Sequence, residues 1–172
     1  MIIYKDLFTG AELFSDTYKM KVVDDIFYEV EGKMTTESGG GIDDALIGGN
    51  ASAEDGAEEL EETSVSGCNI VLANKLEETS FSSKKDYQLA VKGYLKKLSE
   101  RLQEKDPERA AAFKAAAQPA MKKIFENYKD FQFFHGEGDY ETAGMVALLN
   151  FREDGLTPYM LFFKDGVIEE KV

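Results

Sequence analysis

The chain has 172 residues, hydrophobic residues at 43% of its positions and a net charge of −13, which suits one folded domain, over residues 1–172, with a core of its own. Its one cysteine and one histidine exclude an intramolecular disulfide framework and zinc sites built from several cysteines or histidines. The negative charge argues against a general nucleic-acid binder, and no apolar run approaches the 18 residues of a membrane span.

The first two zones of the chain predict strands and then a loop. Residues 1–34 read as short strands and turns, and the alternation over 27–33 indicates a half-buried strand that ends near Gly32. Residues 36–67 contain nine acidic residues and seven glycines, with no aromatic and no basic residue. Such a stretch buries too little apolar surface to offset its ordering entropy, so we expect a mobile acidic loop, with one helical turn at 42–47. Strand character resumes over 68–72.

Residues 83–128 predict two antiparallel helices. Ser83 and Asp86 have the spacing of a helix start, and Asp106 followed by Pro107 has that of a second one. Apolar residues recur at helical spacing in two stripes: Tyr87, Val91, Tyr94, Leu95, Leu98 and Leu102, then Phe113, Ala117, Met121, Ile124, Phe125 and Tyr128. Pro119 lies inside the second stripe and predicts a kink.

The remaining residues, 131–172, predict further strands. Apolar runs at 131–134, 145–149 and 159–163 are typical of strands, and Asp165-Gly166 is a hairpin signal before a last strand at 167–168. This order predicts an α+β fold in which a helical hairpin is inserted into antiparallel sheet structure.

The charge is unevenly placed along the chain. Residues 84–129 hold 12 basic and six acidic residues, so this window carries +6 and the rest of the chain carries −19. Two interpretations stay open: an ordinary lysine-rich solvated face, or a surface that binds an acidic partner such as a tubulin tail or an actin-like surface.

Few residues suggest catalysis or metal binding. His135 stands among aromatic residues, which favours a structural histidine over a general base, and Cys68 heads an apolar run, which favours a buried thiol over a nucleophile. The glycines near Asn50 lack the Lys-Ser/Thr of a phosphate loop. Residues 139–150 lack the ligands of an EF-hand, which leaves weak calcium binding by the acidic loop as an open alternative to a merely solvated acidic run.

Two sequence motifs resemble a known family. Residues 47–54 (Ile-Gly-Gly-Asn-Ala-Ser-Ala-Glu) and residues 133–137 (Phe-Phe-His-Gly-Glu), the latter followed by Ala-Gly-Met-Val-Ala at 143–147, are similar to the two signatures of the translationally controlled tumour protein (TCTP) family. The resemblance covers essentially the whole chain. It implies a β-tent body like that of Rab accessory proteins, with a basic helical hairpin at 83–128 and a flexible acidic loop at 36–67 that carries the first signature.

The resemblance also implies a function. Members of this family are cytoplasmic regulators of growth and translation, with anti-apoptotic action and no bond-making activity, so no catalytic residue and no required cofactor are expected. The implied partners are a Rheb-like small GTPase, whose nucleotide exchange the family is proposed to promote, translation elongation factor and its exchange subunit, tubulin or microtubules, Bcl-family proteins, and calcium ions bound with low affinity.

Family residues carry over at matching positions. The GTPase-facing groove is expected to contain Glu12, Asn50 and Glu137. The tubulin- and elongation-factor-binding face is expected to contain Lys92, Lys96, Lys97 and Arg101. Lys21 matches a position linked to Bcl-family partners.

Two departures from the family stand out: His135 replaces an apolar residue, and Ala45 replaces a serine that some animal members present for phosphorylation.

Two other hypotheses remain beside this one. The first is a low-affinity calcium-binding and tubulin-associated protein that acts through charge alone, without exchange activity. The second is a reductase on a related β-tent, which would need Cys68 as its catalytic residue.

Overall fold

The structure is a computed structural model that describes residues 1–38, 64–136 and 144–172. Its strands are β1 (Ile2–Asp6), β2 (Glu12–Ser15), β3 (Lys19–Val23), β4 (Phe27–Glu31), β5 (Met34–Ser38), β6 (Ser64–Cys68), β7 (Glu77–Thr79), β8 (Gln132–His135), β9 (Ala147–Phe151), β10 (Pro158–Phe163) and β11 (Val167–Lys171). Its α-helices are α1 (Asn69–Ala73), α2 (Lys84–Lys105) and α3 (Pro107–Glu126). The predicted α+β class with an inserted helical hairpin is confirmed.

The strands form antiparallel sheets that pack through aromatic side chains. One sheet has the order β11-β1-β2, a second has the order β3-β4-β10-β9-β8-β7, and β5 and β6 form a separate pair. Tyr4 and Phe14 lie opposite each other on β1 and β2, and their rings stack with centroids 4.5 Å apart. The Phe14 ring also lies 4.5 Å from that of Phe162 on β10, so the three-stranded sheet packs on the six-stranded one.

The predicted starts of both helices are confirmed. Ser83 Oγ accepts a hydrogen bond from the Asp86 N–H at 3.2 Å, and Asp106 Oδ1 accepts one from the Arg109 N–H at 3.2 Å. These caps satisfy amides that have no partner within the helix. The helix α3 continues through Pro119, which lies on its exposed side. A kink at this residue stays a prediction.

Two sequence predictions around residue 68 are wrong. Residues 69–73 form the helix α1 instead of a strand, because a short apolar run does not distinguish the two, and Ile70 reaches the core from this helical turn. The predicted acidic loop at 36–67 is too long at both ends, since Thr36 pairs with Ser66 in the β5–β6 ladder. The helical turn predicted at 42–47 lies outside the described residues.

The hairpin predicted at Asp165-Gly166 is also wrong. Residues 164–166 form a 3-10 turn that carries the chain from one sheet to the other, since β10 pairs with β4 and β9 whereas β11 pairs with β1. The glycine is required here for close packing: a Cβ on Gly166 would lie 2.1 Å from the Tyr94 hydroxyl oxygen. The Gly166 carbonyl also accepts the Leu7 N–H at 2.8 Å.

A clasp centred on Arg109 joins the helical hairpin to both large sheets. Its Nε and Nη2 donate to the two carboxylate oxygens of Asp165 at 2.8 and 2.5 Å, and its Nη1 donates to Asp25 Oδ2 at 2.6 Å. Asp24 and Asp25 form the β3–β4 turn with φ values of 55° and 58°, a left-handed conformation that non-glycine residues seldom adopt. Lys164 and Arg109 hold the pKa of Asp25 below its ordinary value.

The clasp predicts a stability loss when the fork of Arg109 is removed. We expect R109M to lower the free energy of unfolding by about 2 kcal/mol, since two carboxylates lose charged hydrogen bonds, and R109K to recover only part of it because lysine cannot bind bidentately. Urea unfolding measures this effect. K114M is the control, because Lys114 is exposed on the same helix and forms no ion pair with any residue in the described ranges.

The same contact has a defined pH dependence. Because the pKa of Asp25 is lowered in the folded state, its contribution is present above the ordinary value of 3.8 and is lost as the pH falls through the lowered value. The difference between wild type and R109M should therefore shrink in acid. Equal stability of R109M and wild type at pH 7 would contradict the role of the clasp.

Candidate partner-binding surfaces

The exposed side of α2 carries cations that are not neutralised by neighbours. Lys92, Lys96 and Arg101 are exposed, whereas Tyr87 and Leu98 of the same helix are buried. Lys92 and Lys96 lie one turn apart on one flank of the helix, and Arg101, five residues after Lys96, lies on the other flank. None of these three cations forms an ion pair with a carboxylate among the described residues. This group, together with Lys105 on the last turn, is called the cationic face below. Its charge is available to a partner because none of these cations is held in an ion pair by a described carboxylate.

Lys97 has different surroundings from its sequence neighbours. Its Nζ lies 4.0 Å from the centroid of the Phe8 ring, and the side chain is half-buried. It lines a cavity of about 570 Å³ between α2 and the six-stranded sheet, together with His135, Tyr94 and other mostly aromatic and apolar residues. The sequence groups Lys97 with Lys96, but one residue along a helix turns the side chain by about 100°. Lys97 is therefore turned about 100° away from Lys96, and it lies one turn before Arg101, on the same side of α2.

Of the three predicted GTPase-facing residues, the structure describes Glu12. Glu12 is exposed on β2, an edge strand of the three-stranded sheet, opposite Lys5. Asn50 and Glu137 lie outside the described residues. The residue before Glu137, however, packs against the residue before Glu12, since a Cβ on Gly136 would lie 2.4 Å from the Cβ of Ala11. The second signature thus approaches the start of β2.

The buried carboxylate of Asp6 stabilises the contact between the second signature and the start of β2. Asp6 has no exposed surface; its Oδ1 accepts the Phe8 N–H at 2.8 Å and its Oδ2 accepts the Met145 N–H at 2.7 Å. It joins the β1–β2 loop to the segment that follows the second signature. Sequence reasoning missed Asp6. Its local turn bond follows a known tendency of aspartate, but nothing in the sequence indicates its bond to a residue 139 positions away.

His135 and Cys68 have surroundings that agree with structural roles. His135 Nδ1 lies 2.9 Å from the Gly136 carbonyl oxygen and 3.6 Å from Glu77 Oε2. A carbonyl only accepts, so Nδ1 carries the proton in this arrangement. Cys68 is buried, and its burial raises the pKa of the thiol, which disfavours the nucleophilic thiolate.

Residues 1–38, 64–136 and 144–172 contain neither a cluster of metal ligands nor a membrane-spanning helix. Within these ranges no three histidine, cysteine or acidic residues cluster closely enough to hold a metal ion. No helix in them is both long and apolar enough to cross a membrane. The predicted calcium ligands belong to the acidic segment 36–67, most of which lies outside the described residues.

Antiparallel sheets in a β-tent with a docked helical hairpin define the structural class of this protein. The model of the translationally controlled tumour protein family matches residues 1–168. The chain is 58% identical to "Translationally-controlled tumor protein homolog" of Branchiostoma belcheri and 49% identical to "Translationally-controlled tumor protein" of Homo sapiens, each over 99% of both chains. A solved structure, "Translationally Controlled Tumor-associated Protein p23fyp" of Schizosaccharomyces pombe, is similar with a TM-score of 0.81 and 47% identity over both whole chains. A second, from Caenorhabditis elegans, has a TM-score of 0.75 and 34% identity, covering 100% of this chain and 99% of that one. The chain belongs to the TCTP family.

The position of Asp6 generates a prediction about the second signature. We expect D6A to lower the free energy of unfolding by about 1–3 kcal/mol, because buried backbone N–H groups lose their acceptor. Hydrogen exchange at the Met145 amide should also accelerate more than at amides of β10. E153A, at an exposed position, is the control and should leave both quantities unchanged. Unaltered exchange at Met145 in D6A would refute the role assigned to this carboxylate.

Proposed function

We propose that this protein is a cytoplasmic regulatory binding protein whose cationic face binds acidic surfaces of protein partners, with translation elongation factor, its exchange subunit and tubulin as the main candidates. One observation carries this proposal: Lys92, Lys96 and Arg101 are exposed and lack carboxylate partners among the described residues. The identity of the partners comes from the family to which the chain belongs.

The charge of the whole chain makes this surface selective. A window of +6 lies inside a chain of net charge −13, so an acidic partner is repelled by most of the surface and attracted at one place. Such an arrangement orients the partner as it approaches and makes association sensitive to salt. The same arrangement disfavours nucleic acid, which would meet the anionic remainder of the chain.

The cationic face can be tested by charge reversal. We expect K92E/K96E to weaken co-sedimentation with microtubules and capture of the elongation factor roughly tenfold, since exposed ion pairs contribute less than about 1 kcal/mol each and reversal adds repulsion. Wild-type binding should also weaken between about 0.05 and 0.2 M salt.

K114E/K122E is the matched control, because it changes the net charge equally on α3, where both lysines are exposed. Equal losses in the two double variants would show that net charge, and not the cationic face, governs binding. Binding that is indifferent to both salt and charge reversal would end this proposal.

A second surface is proposed for a Rheb-like small GTPase. It contains Glu12, Asn50 and Glu137, and it is supported by the packing of Gly136 against Ala11, which brings the second signature to the start of β2. Consecutive Cα atoms are about 3.8 Å apart, so Glu137 begins close to this contact. In this proposal the carboxylates compete with the nucleotide phosphates for a lysine or the magnesium ion of the GTPase.

Nucleotide release tests this second surface. E12Q should slow release of a labelled guanine nucleotide from the GTPase at saturating protein, because the amide cannot compete for a cation. E153Q removes the same charge from an exposed loop and should release nucleotide like wild type. Equal rates for wild type and E12Q would remove the exchange role and leave binding through charge alone as the better account.

Two further properties are proposed, calcium binding and contact with Bcl-family proteins. Calcium binding rests on the acidic segment 36–67, and contact with Bcl-family proteins rests on Lys21, which is exposed on the edge strand β3 and lies 3.4 Å from Glu29 Oε2.

A further inference from the structure

A groove lies between the last turns of α2 and the junction of β10 with β11. Its volume is about 350 Å³. Leu102 of α2, Leu7 of the β1–β2 loop, and Val167 and Ile168 of β11 give it apolar walls, and Arg101 and Lys105 stand on its α2 side. The groove therefore joins Arg101 and Lys105 of the cationic face to an apolar surface.

The apolar part of the groove is accessible to a partner. Ile168 is 46% exposed, and Leu7, Leu102 and Val167 are each partly buried against the core. A β-branched side chain left open beside other apolar groups in a concave site offers area that a partner's apolar side chain can cover.

The two cations at the groove differ from the other charged groups that line it. Lys164 donates a hydrogen bond to Asp25 at 2.8 Å, and Asp165 accepts hydrogen bonds from Arg109. The charges of Lys164 and Asp165 are therefore neutralised within the fold. Arg101 and Lys105 are exposed and have no carboxylate partner among the described residues.

One of those two cations has no other evident role. Lys105 complements the C-terminal end of α2, but Arg101, one turn earlier, has no such role. A carboxylate, Glu169, also lines the groove, on the β11 side, where it faces Tyr4: burial and this acid together raise the pKa of that hydroxyl.

We propose that this groove binds an acidic peptide segment that carries one bulky apolar side chain among its carboxylates. The apolar side chain would cover Ile168 and Leu102, and the carboxylates would bind Arg101, whose fork matches a carboxylate bidentately, and Lys105. This inference rests on the proposed function, because it names the anchor through which the cationic face holds an acidic partner. A purely acidic tract would use the cations and leave the apolar wall uncovered.

Two short synthetic peptides separate the two components. A fluorescein-labelled Glu-Glu-Phe-Glu-Glu peptide should bind the full chain about five-fold or more tightly than the same peptide with Ala in place of Phe, since covering an aromatic ring adds apolar burial. The preference should survive an increase from about 0.1 to 0.3 M salt, although both affinities fall. Fluorescence anisotropy measures these affinities.

Matched variants locate the site. I168S should abolish the preference for the Phe peptide, whereas L89S, which changes an exposed leucine near the other end of α2, should retain it. R101Q/K105Q should weaken both peptides several-fold more than K92Q/K96Q does. Both apolar positions are exposed, so these variants are expected to fold, and unfolding curves check that they do.

The outcomes distinguish this inference from the proposed function. If the Phe and Ala peptides bind equally, or if I168S and L89S behave alike, the groove is not the anchor, although the cationic face can still bind tubulin or elongation factor. If the partner proteins bind through Lys92 and Lys96 while neither peptide binds, the groove is likewise refuted and the proposed function stands. Loss of partner binding in the wild type itself would overturn both.

Discussion

The guanidinium of Arg109 fixes the position of the helical hairpin on the body. It binds Asp165 with two parallel hydrogen bonds and reaches Asp25 with a third, and these acids belong to turns that connect different strands. One turn joins β3 to β4 within the six-stranded sheet, and the other carries the chain into the three-stranded sheet. A single side chain at the start of α3 is thereby held to both sheets. Because α2 packs along α3 and ends beside this start, the direction of the cationic face follows from the same contact.

The charges of the two helices serve different purposes. On α3, Arg109 and Lys123 are directed at carboxylates of the β3–β4 turn and help to hold its left-handed conformation. On α2, Lys92 and Lys96 meet no described carboxylate and remain available to other molecules. The +6 charge of this window is therefore a sum of structural and exposed cations. The window also holds six acidic residues, but none of them forms an ion pair with Lys92 or Lys96 among the described residues, so these two charges remain exposed.

Local patterns account for what could be predicted, and distant contacts account for what could not. The caps at Ser83 and Asp106 involve residues three positions apart, so the starts of both helices were predictable. The strand predicted at 68–72 was wrong because a run of so few apolar residues fits a buried strand or a buried helical turn equally well. The contacts of Arg109 and Asp6 span 56 to 139 residues, and no local pattern encodes them.

The candidate surfaces also combine features that follow from local sequence patterns with features that depend on distant contacts. Exposure of Lys92 and Lys96 follows from the apolar stripe of α2, whereas the approach of Gly136 to Ala11 depends on the tertiary fold. At the groove beside Ile168, apolar contact, which acts at short range, is added to charge attraction, which acts at longer range. Charge acts over about a Debye length, some 8–10 Å in physiological salt, and attracts any acidic surface. Apolar contact acts only when side chains meet, so it discriminates between acidic partners that charge would accept equally. Many acidic protein surfaces present carboxylates that compete for Arg101 and Lys105, and in the proposed groove the neighbouring apolar wall is what selects among them.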